Sequence, residues 1–349
     1  MRLGIVIVSY NGQKWLEKSL GSCFAQAPGT PVYVVDNAST DNSLSLIQSR
    51  FPAVRLLPQK DNLGFAAGNN VGIRQALQDG AEAVLLLNQD AELGPSAVTK
   101  LEQYLAGHPA VAAVQPAIFL PDGRVNSLGN CFHYLGFGFS GGHGLKLSQA
   151  VERLPWVRER GEPPYLSGAA VLLRGSALQT VGLFDPELYL YHEDLELSLR
   201  LRLSGFKLAL CPEAAVVHHY EFSRSVSKFY YMERNRWLVW LSYWRFGTLA
   251  LLALPLVLSE LMLLLTSYGK GWFAAKLKVY AYLGRRQTWQ AVASRRRRLK
   301  SLRRVSDRQL LRLASATIDF QELSSFMVRY VFNPLSALAW QVIFFFIRW

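Results

Sequence analysis

An α/β fold built on a mostly parallel sheet, with a helical appendage at the C-terminal end, is what the sequence predicts. Three observations predict it. Short apolar runs rich in Val, Ile and Leu alternate with helix-like stretches through the first 120 residues. Polar residues cluster where successive apolar runs end. The charge is also segregated: residues 1–268 carry 22 basic and 22 acidic side chains, whereas residues 269–349 carry 16 basic and three acidic ones. That last stretch accounts for the whole net charge of +13.

The runs "LGIVIVSY" (3–10), "VYVVD" (32–36), "VRLLP" (54–58) and "AVLLLN" (83–88) read as buried parallel strands. Between them "QKWLEKSLGSCFAQ", "DNSLSLIQSRF" and "FAAGNNVGIRQALQDG" read as helices. In such folds ligands bind outside the carboxyl ends of the strands. There stand Ser9, Tyr10 and Asn11 after the first run, Asp36 and Asn37 after the second, and Asn88 to Asp90 after the fourth. One Asx turn would be unremarkable. Three polar clusters at strand ends point to a nucleotide pocket. Further along, "EDLELSLRLRLSG" (193–205) alternates at period two like a strand. Its Leu, Glu and Arg, its acidic start and Gly205 at its end favour a helix, which is the expectation here.

A chain of 349 residues that is 50% hydrophobic can bury a sizeable core, which excludes disorder. Cys23, Cys131 and Cys211 are odd in number and lack metal-type spacing, so reduced core thiols are expected. The only early apolar run, Leu3 to Val8, reads as a strand and not as a secretory leader. The expected location is the cytoplasmic side of the cell membrane.

Membrane attachment is suggested by residues 248–269, "TLALLALPLVLSELMLLLTSYG", near the roughly 20 residues that span a bilayer. Pro255 and Glu260 interrupt the run, and a carboxylate at mid-bilayer costs about 3 kcal/mol. A crossing would also separate the neutral body from its basic tail, against the positive-inside tendency. A peripheral or monotopic segment is therefore expected, with a buried core helix and a true span as the other readings. Upstream, "FYYMERNRWLVWLSYWRF" places Trp237, Trp240 and Trp244 on one helical face, suited either to core packing or to an aromatic belt. Lys270, Lys276, Lys278, Arg285, Arg286 and Arg295 to Arg298 would each gain about 1 kcal/mol near an anionic membrane surface. The chain ends "NPLSALAWQVIFFFIRW", a second apolar segment too short to span comfortably. Nucleic acid is not an expected partner, since no stacking module or zinc-finger spacing accompanies the charge.

The motifs "VIVSYNG", "VVDNASTDNS", "NLGFAAGNNVGI", "LLLNQDAEL", "LSGAAVLLR", "GLFDPELYLYHEDLELSLRLRLSGF" and "VVHHYEFSRS" resemble family 2 glycosyltransferases, most nearly the bacterial rhamnosyltransferase type. The likeness runs in order from about residue 3 to about residue 240. It implies a GT-A type nucleotide-sugar-binding domain over residues 1–235, followed by an aromatic and basic helical membrane-associating region over 236–349. It further implies transfer of a sugar, rhamnose by analogy, from a nucleoside-diphosphate sugar donor to a lipid-linked glycan acceptor.

On that resemblance Ser9, Tyr10, Asp36, Asn62, Gly64, Gly68 and Asn88 belong to the nucleotide-sugar site, the glycines letting backbone approach the nucleotide. The family's Asp-x-Asp triplet is here Asn88-Gln89-Asp90, which leaves Asp90 as its only carboxylate. Asp90 and His218 would hold Mg²⁺ or Mn²⁺, and the imidazole tilts the choice slightly toward Mn²⁺. Asp194 would be the general base of a single inverting displacement, with Glu193 and Gly168 orienting or accommodating the acceptor. Arg224 and Ser225 are candidates for phosphate oxygens.

Three other classes compete. A nucleotidyltransferase would want a Gly-rich triphosphate loop near the first strand, which "SYNGQKWL" does not supply. A catalytically inactive nucleotide-sugar-binding membrane adaptor draws support only from Asn88. Nucleic-acid binding through the tail predicts steeply salt-dependent affinity for polynucleotide.

Overall fold

The computed structural model describes residues 1–159, 161–220, 229–269, 271–318, 326 and 328–349. They form two compact units, one of residues 1–130, 140–201 and 206–220, the other of 131–139, 202–205 and 221–349.

In the first unit the strands are Leu3–Ser9 (β1), Val32–Asp36 (β2), Arg55–Pro58 (β3), Ala83–Leu87 (β4), Ala91–Leu93 (β5), Val111–Phe119 (β6) and Val125–Ser127 (β7). A short ribbon pairs Asn130–Phe132 (β8) with Gly138–Ser140 (β9), and Ala170–Arg174 (β10) and Lys207–His218 (β11) follow. The main sheet runs β3-β2-β1-β4-β10-β6-β11-β5, with β7 on β6.

The first four strands are parallel, as expected from their apolar runs. The sheet as a whole is mixed, which corrects the expectation of a mostly parallel one. Strand β10 lies antiparallel between β4 and β6, and β5 is antiparallel to β11. Antiparallel neighbours need no crossover helix, so they leave no strand-helix alternation in the sequence. A second correction concerns β3. It stands at the sheet edge with Arg55 exposed and Leu56 and Leu57 half-buried, because an edge strand has a neighbour on one side only.

Helices Gln13–Gln26 (α1), Ser43–Arg50 (α2) and Gly64–Gln78 (α3) fall where the sequence places them. The core gathers Leu16 and Leu20 of α1, Leu101 and Leu105 of helix Ala97–Gly107 (α4), and Ile5, Val34 and Leu85 of the sheet. Glycine is required where α3 meets β1: a Cβ at Gly68 or Gly72 would stand 2.9 or 2.4 Å from a Val8 or Val6 methyl. Helices Leu147–Arg153 (α5), Pro155–Arg158 (α6) and Gly175–Val181 (α7) precede Glu193–Leu203 (α8), the expected helix. All three cysteines are buried and free.

The second unit is helical: Phe229–Tyr243 (α9), Phe246–Gly269 (α10), Phe273–Leu283 (α11), Arg286–Leu302 (α12), Asp307–Leu311 (α13) and Asn333–Phe346 (α14). Trp240 and Trp244 are core residues, and the Trp240 indole donates to the Tyr134 carbonyl across 2.8 Å. Core packing, not an aromatic belt, is the role of these two rings.

Helix α10, with Pro255 inside it, is the one helix among the described residues long and apolar enough to cross a membrane by length and composition. Its Glu260 is turned into the protein. The carboxylate accepts from Arg236 at 2.7 Å and from the Tyr280 hydroxyl at 2.9 Å, and pairs with Lys276, which also pairs with Glu233. Lys276 is fully buried in this cluster, which corrects its assignment to a lipid-facing surface. Lys270, Arg224 and Ser225 lie outside the described residues.

Candidate active site

The carboxyl ends of β1, β2 and β4 bring the expected polar residues together. Ser9 and Asp36 are register partners, and the Asn37 amide donates to the Ser9 carbonyl across 2.8 Å. One Asp36 oxygen, Oδ2, accepts from the Ser39 amide at 3.0 Å, which is the Asx turn. That leaves Ser9 Oγ, Asp36 Oδ1 and Asn37 Oδ1 buried with no hydrogen-bond partner among the described residues. Buried polar atoms are nearly always satisfied, so three unsatisfied oxygens at adjoining strand ends mark a place for a polar ligand.

The segment before α3 is built on an Asx turn. Asn62 Oδ1 accepts from the Gly64 amide at 2.9 Å, and Asn37 donates to the Gly64 carbonyl at 3.0 Å. Gly64 has φ +74°, and a Cβ there would stand 2.4 Å from the Tyr189 ring. Tyr189, Tyr191 and His192 themselves take positive φ just before α8, a concentration of backbone strain beside the base candidate. Tyr10 is exposed at the end of β1, its backbone amide and carbonyl both bonded by Gln89 at 2.9 and 3.3 Å. The middle residue of the triplet thus ties its loop to the β1 end.

Pairing of β5 with β11 sets His218 opposite Ala91 and so beside Asp90. His218 Nε2 lies 3.3 Å from Asp90 Oδ1 and 3.3 Å from the Asn88 amide nitrogen. The other ring nitrogen of His218, Nδ1, is 3.0 Å from Asn126 Oδ1, and Asn126 Nδ2 is 3.2 Å from His143 Nδ1. Because the Asn126 amide nitrogen donates to His143, its oxygen accepts, and His218 carries its proton on Nδ1. Burial holds His143 below its ordinary value, in keeping with an acceptor. The bond to Asn126 orients the His218 ring with Nε2 facing Asp90.

No group of three or more His, Cys, Asp or Glu side chains suited to a metal occurs among the described residues. Asp90 and His218 supply one carboxylate and one imidazole, donors that Mg²⁺ or Mn²⁺ would accept. That donor set fits a divalent cation held jointly by protein and substrate.

Asp194 sits at the start of α8, half-buried, with Oδ2 accepting from the Gly168 amide at 3.2 Å and Oδ1 from the Leu195 amide at 2.7 Å. Burial pushes it up to about 6, against the pull of those two amides. An apolar cavity lined by Leu166, Val171, Phe184, Leu197 and Leu201 adjoins it. Glu193 is the more deeply buried of the two, its Oε2 lacking a partner among the described residues. Burial, then the neighbouring Asp194, raises it well above the ordinary carboxyl range.

Strand β10 joins the two halves of the site. Leu87 pairs with Ala170, the Asn88 amide donates to the Ala169 carbonyl at 2.9 Å, and the adjoining Gly168 amide holds Asp194. The triplet and the base candidate are therefore two hydrogen bonds apart.

Residues 2–239 match the model of the family described as glycosyltransferase-like family 2. The chain belongs to glycosyltransferase family 2. This family 2 glycosyltransferase is 34% identical over 236 residues, 62% of its length and 76% of the relative's, to the N-acetylglucosaminyl-diphospho-decaprenol L-rhamnosyltransferase of Mycobacterium tuberculosis. It is 26% identical over 219 residues, 61% of its length and 67% of the relative's, to the dTDP-rhamnosyl transferase RfbF of Shigella flexneri. Its fold is similar to that of the mannosyltransferase PcManGT of Pyrobaculum calidifontis at 16% identity, with TM-score 0.51 over 86% of this chain and 85% of that one. Similarity to GalNAc-T7 gives TM-score 0.57 at 16% identity over 70% of this chain and 48% of that one. The glycosyltransferase fold carries a rhamnosyltransferase-like sequence suited to polysaccharide biosynthesis.

Asn126 escaped the sequence reading, which placed Asn37 and Gln89 among the strand-end polar residues. Asn126 lies on the short strand β7, where nothing local in the sequence links it to a histidine 92 positions away.

Proposed function

We propose that this glycosyltransferase transfers a sugar, rhamnose being favoured by the named relatives, from a nucleoside-diphosphate donor to a hydroxyl of a lipid-linked glycan. Transfer proceeds with inversion. The observation that carries this reading is the β10 junction, which sets a half-buried carboxylate of raised proton affinity beside the Asn88-Gln89-Asp90 triplet.

Ser9, Asp36 and Asn37 offer unsatisfied oxygens to the hydroxyls and base edge of a nucleoside, and the exposed Tyr10 ring offers a face for stacking. Asn62, Gly64 and Gly68 hold the chain close to the nucleotide. Asp90 and His218, with Asn88 alongside, would hold Mg²⁺ or Mn²⁺, which would supply charge neutralisation for the diphosphate. Asp194 accepts the proton of the acceptor hydroxyl as its oxygen bonds to the anomeric carbon. The bond from that carbon to the diphosphate oxygen breaks, and the electron pair leaves with the nucleotide. Glu193, its proton affinity raised by burial, orients the acceptor, and Gly168 keeps Asp194 aimed.

A lipid-linked acceptor fits a chain attached peripherally to the cytoplasmic side of the cell membrane, with residues 236–349 as the membrane-associating region next to a catalytic domain of residues 1–235. Attachment confines enzyme and acceptor to two dimensions.

The test offers thymidine- and uridine-diphosphate sugars with a lipid-linked acceptor extract to the purified full chain, in Mg²⁺, Mn²⁺ or chelator. Metal-dependent transfer with inverted anomeric configuration, lost in Asp194→Asn, is the expected result. Transfer by Asp194→Asn at the wild-type rate would remove Asp194 as the base. A chain that binds no donor would leave the inactive adaptor as the better account.

A further inference from the structure

We infer that α10 and α14 together form a platform that seats in the plane of an anionic lipid leaflet without crossing it. The inference deepens the membrane attachment proposed above and rests on it.

Both helices turn a stripe of large apolar side chains outward, where a helix that faces water turns polar residues. In α10 the inward face buries Thr248, Leu252, Leu256, Ser259 and Ser267 and directs Glu260 to its ion pairs. Its outward face carries Leu254, Val257, Leu258, Leu261 and Leu265, each more than half exposed at 53 to 77%. In α14 the buried residues are Asn333, Ser336 and Trp340, whereas Leu335, Leu338, Val342, Phe345 and Phe346 are exposed. The two helices pack on one another, and the Trp349 indole donates to Thr248 Oγ1 at 2.9 Å. The outward stripes belong to one helical pair, and an apolar patch of this extent marks a surface that something other than water covers.

Charge identifies the covering as lipid. Arg296 lies over the Phe246 ring at 4.3 Å, Arg348 over Phe345 at 5.6 Å and Arg329 over Tyr330 at 5.5 Å. Aromatic rings with cations against them suit the boundary between hydrocarbon and headgroups. A second copy placed on this face would bring together two tails that each carry 16 basic against three acidic side chains over residues 269–349. Phosphate headgroups would satisfy both.

Crossing is prevented by what the other side of α10 holds. Thr248 Oγ1 donates to Asp307 at 2.7 Å near one end, while Glu260 is bound by Arg236, Lys276 and Tyr280 farther along. A span would draw these buried charges into hydrocarbon or break their pairing. An in-plane seat leaves them in the protein.

The experiment uses the purified full chain and sealed vesicles, of phosphatidylcholine alone or equimolar with phosphatidylglycerol. Flotation with the mixed vesicles, weakened by salt, is expected. The double variant Leu258→Asp with Leu338→Asp, both at exposed positions, should weaken binding at least about tenfold with an unchanged melting temperature. Cysteines placed singly at Phe246 and Tyr268, near the two ends of α10, should both label from outside with an impermeant maleimide, and Leu261→Cys should be protected. Labelling of one end only after vesicle lysis would overturn the in-plane seat in favour of a span. Flotation of the double variant at wild-type strength would overturn this face and leave membrane attachment standing. A chain that never floats would overturn both, as would a dimer in sedimentation that the double variant splits.

Discussion

The Gly168 amide donates to Asp194 Oδ2 across 3.2 Å, and a Cβ added at Gly168 would stand 3.1 Å from the Phe65 ring. Gly168→Ala therefore presses on Phe65 and disturbs the amide that aims the base. Transfer should fall about tenfold with donor affinity preserved, because orientation and not binding is lost. Steady-state kinetics separating kcat from KM for the donor tests this. A variant that loses donor binding instead would place Gly168 in the nucleotide site.

Asp194, raised by burial to about 6, must be ionised to take a proton. Transfer should fall about tenfold per pH unit below pH 6. The stability dependence runs the other way. A carboxyl whose folded value lies above its unfolded one contributes stability that is fully present below about pH 4 and is lost as pH rises through about 6. Asp194→Asn should thus cost about 10³-fold in rate while melting no lower than wild type at pH 8. Thermal scans and rate profiles on the same preparations check both statements.

His218 gains its tautomer from Asn126. Asn126→Leu should weaken Mn²⁺ binding by about 10-fold to 100-fold, and Asn126→Asp, which keeps an acceptor at that place, should restore most of it. Manganese electron paramagnetic resonance gives the affinity. Nitrogen chemical shifts of the His218 ring in the metal-free protein give the tautomer, which a merely structural role for Asn126 would leave unchanged.

At Gly64 a left-handed backbone and the Tyr189 ring coincide. Gly64→Ala should destabilise by about 2–3 kcal/mol and loosen the strained 189–192 turn ahead of α8. Tyr189→Ala in that background should recover part of the stability, since it removes the clash but not the φ cost. Chemical denaturation of the two variants measures the recovery.

Glu233 lies in the buried cluster of the second unit. Burial alone would raise it, but Arg236 and Lys276 hold it down at about 2. Its contribution is present above its unfolded value near 4.5 and lost as pH falls through about 2. Lys276→Met should cost about 3–5 kcal/mol, because it leaves buried carboxylates short of a partner. Urea unfolding at neutral pH reads this directly.

Much of this molecule is legible in its residues, and what is not has identifiable causes. The first four strands and three helices announce themselves because each apolar run is bounded by polar turn chemistry. The helix beginning at Glu193 has a period-two pattern and is nonetheless helical: Leu195 to Arg202 are all buried, so no single face records the period. Arg200 is accommodated there by Glu196 at 2.7 Å and by the carbonyls of Val181 and Leu183. The antiparallel strands, Asn126 behind His218, and the ion pairs that receive Glu260 depend on residues far apart in the chain, and no local pattern signals such partners. Charge at Glu260 reads from sequence as a defect in a membrane segment. Arg236 and Lys276 make it the inner anchor of that helix.

The place of β10 also bears on how the molecule comes into being. Among the described residues, 170–174 are the link in the sheet between β4, complete by residue 87, and β6, complete by residue 119. During synthesis the four-stranded N-terminal half must wait with β4 as an open edge until some eighty further residues have left the ribosome. Closing the sheet is therefore a late, long-range event, slow by its topology and open to mispairing while it is pending. The same late strand completes the junction between the triplet and Asp194, so a nascent chain halted before residue 170 has a nucleoside pocket in prospect and no means of transfer.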